Sequence, residues 1–416
     1  MRTQSICLAF AIVLLCPIAS AQWVQVVDAW LRVPCITVSG TNLFAASVDP
    51  RGESFLWVST DGGTNWHNYP APAITGLAIS GSILLAGTQW FGVFVSTNSG
   101  ASWTAVNEGL PRRTDDTTGI ETVRSLFVSG TNLYAGTYPR GGLFHSTNNG
   151  TNWGPTGLTD HVVHALAISG TNLFAGTYYG GVFLSTNNGT NWTSVNTGLT
   201  DTLINALAVS GTNLLAGTYE DGVFLSTNNG TNWTSVNTGL GDLHMQSLAV
   251  SGGNLFAAPS RGVFLSTNNG TSWADVGLTA SWVTSLAVCG SYLFAGTAAG
   301  TIPPGNRGGI WRRPLSQIIS DVEGIELLPR HIVLGQNYPN PFNPSTTIRY
   351  GLPTRSQVTL TVFNTVGQQV AQFQNGEQEA GYHEVKFEGR GLSSGVYFYR
   401  LRAGDFLETK RFLLLR

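Results

Sequence analysis

The stretch VHALAISGTNLFAGTYYGGVFLSTNNGTNW, residues 163–192, decides the fold. His164 to Ile168 alternates small and large side chains, Ser169 to Asn172 supplies turn formers, and Leu173 to Thr177 is a second apolar run. A short turn at Tyr178 to Gly180 leads into Val182 to Leu184, and the octet Ser185 to Trp192 then reverses the chain into Thr193 to Val195. Runs of period two broken by Gly, Asn, Ser and Thr predict four antiparallel strands joined by tight turns. The octet recurs at 59–66, 96–103, 146–153, 226–233 and 266–273, so its tryptophans stand 37, 50, 39, 41 and 40 residues apart. Four short strands per repeat of about 40 residues predict a β-propeller with one blade per repeat.

Seven first strands can be counted, at 35–38, 75–79, 123–128, 163–168, 204–209, 245–250 and 283–288, against only six Trp octets. The seventh repeat runs through Leu293 to Thr297 and Gly308 to Trp311 without an octet of its own. Trp23-Val24-Gln25-Val26-Val27 resembles Trp192 to Val195, so the N-terminal strand is expected to complete the last blade and close a seven-bladed ring. Closure removes the open sheet edges that otherwise invite aggregation.

The chain has 416 residues, 51 glycines, 11% charged residues and a net charge of −2. That composition suits many strands and turns, and it offers no basic field for nucleic acid. Residues 1–21 carry Arg2, an apolar core from Ile6 to Leu15 and Ala19-Ser20-Ala21, which reads as a signal peptide with no membrane span left after its removal. Of the four cysteines, Cys35 and Cys289 remain outside it; they differ by four positions in repeat phase, roughly 13 Å along a strand, and are expected to be free. The expected organisation is a signal at 1–21, the propeller at 22–315, a linker at 316–333 and a small Ig-like β-sandwich at 334–416. In the last region, strands are expected at 357–364, 368–374, 383–388, 395–403 and 406–415, with turns that include Asn375-Gly376.

The octet resembles the Asp-box of the BNR-repeat propellers, although Asp61 is the only acid at its third position; the others are Asn98, Asn148, Asn187, Asn228 and Asn268. An Asn carbonyl can accept the same local backbone hydrogen bonds as a carboxylate, but it brings no charge to a metal. A structural role follows, with the Trp covering the outer edge of its blade, and neither metal nor cofactor is expected. Tyr338-Pro339-Asn340-Pro341, Val362 to Val370, Leu392 to Tyr397 and the final strand with Lys410-Arg411 resemble the type A C-terminal sorting domain of type IX secretion cargo. The resemblance implies export across the outer membrane, with the type IX machinery as a partner and release or attachment at the cell surface. A flagellar hook-capping domain shares the YPNPFNP opening, but nothing else in the chain points to a flagellar part.

Function must come from a site rather than from the platform. The turns between second and third strands and the connections between blades are expected on one face around the central channel, away from the octets. They place there Trp90, Phe91, Tyr138, Arg140, Tyr178, Tyr179, Tyr219 and Glu220, with Asp160, Asp201, Asp242 and Trp282 from the connections. Aromatic rings mixed with carboxylates can stack on sugars or grip an extended peptide. The plainer alternative is that the tyrosines pack turns and the aspartates cap them. A sialidase needs an arginine cluster, and a glycosidase needs a carboxylate pair across a cleft. Asp160, Asp201 and Asp242 instead recur at one repeat phase, as structural positions do. The expectation is a secreted or surface-displayed monomer that binds or adheres to a glycan or protein without catalysis. A glycoside hydrolase using these carboxylates is the alternative, and a scaffold resembling the photosystem assembly factors is a third reading.

Overall fold

The computed structural model describes residues 22–28, 32–49, 51–113, 119–139, 141–298, 308–323, 332–337, 339–379 and 381–415. The expected signal at 1–21, together with Arg140 and Tyr338, lies outside them. The chain divides into two units, Met1–Asp321 and Val322–Arg416.

In the first unit the repeat becomes a series of four-stranded antiparallel sheets, seven among the described residues. The one opened by Val163–Ser169 continues through Asn172–Thr177, Gly181–Ser185 and the two-residue Thr193–Ser194. Second strands such as Asn172–Thr177 are almost wholly buried, since both of their faces meet neighbouring sheets. First strands of successive sheets lie side by side, and Trp282–Cys289 returns to pack beside Arg32–Ser39, so the series closes. The last sheet takes Val24–Asp28 as its outer strand, with Val24 opposite Arg312 and Asp28 opposite Gly309. Trp23 also stands in for the missing tryptophan: its Nε1 donates to the Val276 carbonyl at 2.8 Å.

The octets are self-contained hydrogen-bonded units. Ser185, 1% exposed, accepts from Gly189 N at 2.9 Å and donates to Asn187 Oδ1, which also accepts from Asn191 N at 2.9 Å. Serines 59, 96, 146, 226 and 266 repeat the first two bonds with Asp61 or Asn at the third position. The tryptophans do more than cover their own sheet. Nε1 of Trp153, Trp233 and Trp273 donates to Val106, Val195 and Val236 in the preceding repeat, at 2.7–2.8 Å, tying successive sheets together.

A helix, Leu315–Glu323, runs from the end of the expected propeller into the stretch expected to be a linker, 316–333. Its Ile318 is fully buried, and Asp321 pairs with the buried Arg313. Burial of an apolar residue on each turn gives these residues the amphipathic spacing that a repeat-based reading overlooks.

The second unit has a three-stranded sheet (Val333–Leu334, Ser345–Leu352, Gly381–Glu388) and a four-stranded one (Gln369–Gln378, Ser356–Phe363, Gly395–Ala403, Phe406–Leu414). They share a core that includes Phe342, Tyr350, Leu360, Phe387, Tyr399 and Phe412. The Tyr399 hydroxyl is buried between Asn337 N and the Gly335 carbonyl, which anchors the segment leading into the Pro-rich motif; burial pushes this phenol up to about 12. Asn375-Gly376 is not a turn. It lies inside Gln369–Gln378, paired with Thr359 and Val358, because the strand keeps its cross-strand partner through these residues. Cys35 and Cys289 are both free thiols, and burial pushes the Cys35 thiol up to about 12.

Candidate functional site

At the rim of the channel, opposite ends of the same strands behave differently. In the sheets bearing Trp90, Tyr179 and Glu220, an asparagine following the short fourth strand pins the inner turn. Asn107, Asn196 and Asn237 accept from the amides of Val93, Val182 and Val223 in the third strands, each at 2.7 Å, and each donates back to the turn, at Phe91, Gly180 and Asp221. A Val-Asn pair follows three of the tryptophans, but strand alternation alone gives these asparagines no role.

The pinned turns hold aromatic residues in an uncommon backbone. Trp90 and Tyr179 occupy equivalent positions, and both have φ of 70°, a left-handed value that bulky side chains rarely adopt. Tyr179 is 69% exposed and its hydroxyl meets that of Tyr178 at 3.3 Å, while Phe91 is 57% exposed. The exposed Tyr179 ring on a left-handed, pinned backbone brings a conformational cost of order 1–3 kcal/mol without a compensating core contact.

The carboxylates are engaged locally. Asp201 accepts from Leu203 N and Glu220 N, both at 2.8 Å, and so fixes the neighbouring turn. Asp242 accepts from His244 N and contacts its Nδ1 at 3.0 Å, and that imidazole packs edge-on against Tyr219. Asp160 is exposed.

Three of the expected residues meet in one place. Trp90, Tyr138 and Trp282 line a half-open cavity of about 680 Å³, with Arg32, Asp49, Thr122 and Arg124 among its other walls. Tyr178, Tyr179, Tyr219, Glu220, Phe91, Asp160, Asp201 and Asp242 do not line it. Arg113 lies over the Trp90 ring at 4.2 Å, leaving one of its faces uncovered by that cation, and Arg124 stands 5.6 Å from the centre of the Tyr138 ring.

Arg124 belongs to a feature that the alternation of the sequence hides. Every first strand loses register with its second strand near its start, skipping Thr75, Arg124, His164, Asn205, Gln246 and Thr284, with Val33 and Pro34 at the corresponding place. These bulges form a ring of positions at one level of the channel. Burial first, and the Arg124 charge second, lower His164 to about 4, so this imidazole is neutral near pH 7. The available signal was variability: inner strands otherwise alike carry Thr, Arg, His, Asn, Gln and Thr at this one position.

Among the described residues, no cluster of three or more His, Cys, Asp or Glu is arranged to hold a metal, and no helix is long and apolar enough to cross a membrane.

Residues 336–414 match the family of secretion system C-terminal sorting domains. The chain therefore carries a type IX sorting tail and is a secreted or cell-surface protein. Among solved structures, YCF48 from Cyanidioschyzon merolae is 14% identical, with a TM-score of 0.56 over 71% of this chain and 99% of that one. YCF48 bound to D1 peptide is 15% identical, with a TM-score of 0.53 over 71% and 95%. These likenesses show the propeller fold. PorZ of Porphyromonas gingivalis is a more remote likeness, 13% identical with a TM-score of 0.41 over 92% and 69%. No curated protein matches the chain.

Proposed function

We propose that the chain is a closed seven-bladed propeller followed by an Ig-like sorting sandwich, delivered by the type IX machinery to act as a non-catalytic binding or adhesion module. The channel-side face is its working surface, and a glycan or a protein is its ligand. The observation that carries this reading is the cavity of about 680 Å³ lined by Trp90, Tyr138 and Trp282, a size and lining suited to a small-molecule or saccharide unit. The strained backbone of Trp90 supports it, because a fold keeps such a conformation where function requires the side chain there. YCF48, of similar fold, holds a peptide. A catalytic role for the recurring aspartates is disfavoured by their engagement: Asp201 is occupied with the amides of Leu203 and of Glu220 in the neighbouring turn, and Asp242 with that of His244.

A glycan and peptide array run beside a hydrolysis assay tests this. Retention of a ligand without product release is the expected result. Product release that disappears in Asp201→Asn would instead establish the hydrolase.

A further inference from the structure

Several of the bulged residues clamp one blade to the next, and Arg124 does not. Thr284 donates to the Val33 carbonyl at 2.6 Å, Asn205 donates to Met245 O at 2.9 Å, and Thr75 donates to Val123 O. In each case the acceptor is in the next blade, directly before or at that blade's own bulge, so the bulged side chain ties two blades together. Arg124 occupies the same position, yet the equivalent carbonyl, that of Val163, accepts from Ser125 at 2.8 Å instead. The clamp has moved along by one residue, and the guanidinium is not needed for it.

Arg124 is exposed, lines the cavity and makes no ion pair among the described residues; the same three statements hold for Arg32. Asp49 is the carboxylate in the wall, and its Oδ1 already accepts from Arg51 N and Glu53 N at 2.8–2.9 Å. The Thr122 hydroxyl, on a wall residue only 4% exposed, has no hydrogen-bond partner among the described residues. Guanidinium groups recognise carboxylates through paired N–H donors, and flat aromatic faces suit the C–H faces of sugar rings. A peptide ligand is more often anchored by side chains sunk into closed, fully desolvated pockets. Here the cavity is half-open, and its large apolar groups are rings from three different blades.

We infer that this cavity is a subsite for a uronic acid unit of an acidic polysaccharide, with Arg124 and Arg32 taking the carboxylate and the exposed ring of Trp282 a sugar face. The inference rests on the reading of this face as a binding surface and names its ligand class. His164, neutral beside Arg124, adds no competing charge near pH 7.

The test uses the full exported chain and three uronate polymers, polygalacturonate, alginate and hyaluronan, each paired with its carboxyl-reduced neutral form, together with peptides ending in a free carboxylate. At least one acidic polymer is expected to retain the protein, with its neutral partner at least about tenfold weaker and retention falling as salt rises. Arg124→Gln should lose at least about tenfold in affinity for that polymer with an unchanged melting midpoint, and Arg124→Lys should recover part of the loss. Equal retention of acidic and neutral polymers would overturn the acidic subsite while leaving the binding reading intact. So would preferential capture of the peptides, or an Arg124→Gln variant that binds like the parent. Failure to retain any polymer or peptide would overturn both.

Discussion

Gly181–Ser185 is one short strand with a different kind of turn at each end. The turn after it, Ser185 to Trp192, is spelled almost alike in six repeats, and each copy closes its own hydrogen bonds around a buried serine. The turn before it, Tyr178 to Gly180, has a different composition in every repeat and leaves most of its aromatic residues exposed, among them Phe91, Tyr138, Tyr179 and Tyr219. In a protein built by duplication, a position that must hold the scaffold stays the same from copy to copy, whereas a position that meets one asymmetric ligand has reason to diverge. The most prominent motif of the sequence is therefore scaffold, and the divergent end is the candidate site.

At ring closure the scaffold role passes from the octets to the N-terminal strand, and disruption there has the largest expected effect. Removing residues 22–28 strips Gly309–Pro314 of its outer partner and deletes the Trp23 bond to Val276. The melting midpoint is expected to fall by on the order of 10 °C or more. A calorimetric scan that matches the parent would show that closure does not depend on this strand.

A smaller effect is expected inside the octets, at the one acid among their third positions. Asp61 is held at about 2, below the ordinary 3.8, chiefly by the Asn65 amide and then by the Asn65 and Ser59 side chains. Its folded value lies below its unfolded one, so its contribution to stability is present above 3.8 and is lost as pH falls through about 2. Asp61→Asn, which copies the other five octets, should leave the neutral-pH midpoint little changed and flatten the acid limb between those two values. An acid limb identical to the parent's would place the titration elsewhere.

Much of the scaffold was legible because it is written in repetition. The spacing of the tryptophans gave the strands and their turns, and the resemblance of Trp23 to Trp192 pointed to the pairing with Gly309–Pro314. The sorting tail was legible from ordered motifs. Errors arose where one local signal had two physical outcomes. Asn375-Gly376 has turn composition, yet cross-strand partners keep it extended. The helix Leu315–Glu323 falls outside the repeat, so repetition gives no sign of it at the start of the expected linker, 316–333.

The site was legible only in part. Trp90, Tyr138 and Trp282 could be placed by the turns and connections they belong to, and all three reach the cavity. Arg32 and Arg124 could not, because a period-two reading treats every strand residue as facing in or out. It does not register a bulge, whose extra residue is turned out of the alternation. The pins Asn107, Asn196 and Asn237 were missed for a related reason. Their fourth strands end after two residues, and a side chain, not the backbone, completes the pairing.

The division between an invariant scaffold end and a divergent binding end is tested most directly by melting and ligand retention measured side by side for Ser185→Ala and Trp90→Gly. Ser185→Ala leaves the buried Gly189 amide without its acceptor and should cost about 1–3 kcal/mol, while the folded fraction binds as before. Trp90→Gly relieves a left-handed backbone but removes a ring from the cavity, so it should lose at least about tenfold in retention with the smaller change in melting midpoint. The reverse pattern, binding lost in Ser185→Ala and stability lost in Trp90→Gly with retention intact, would contradict the account.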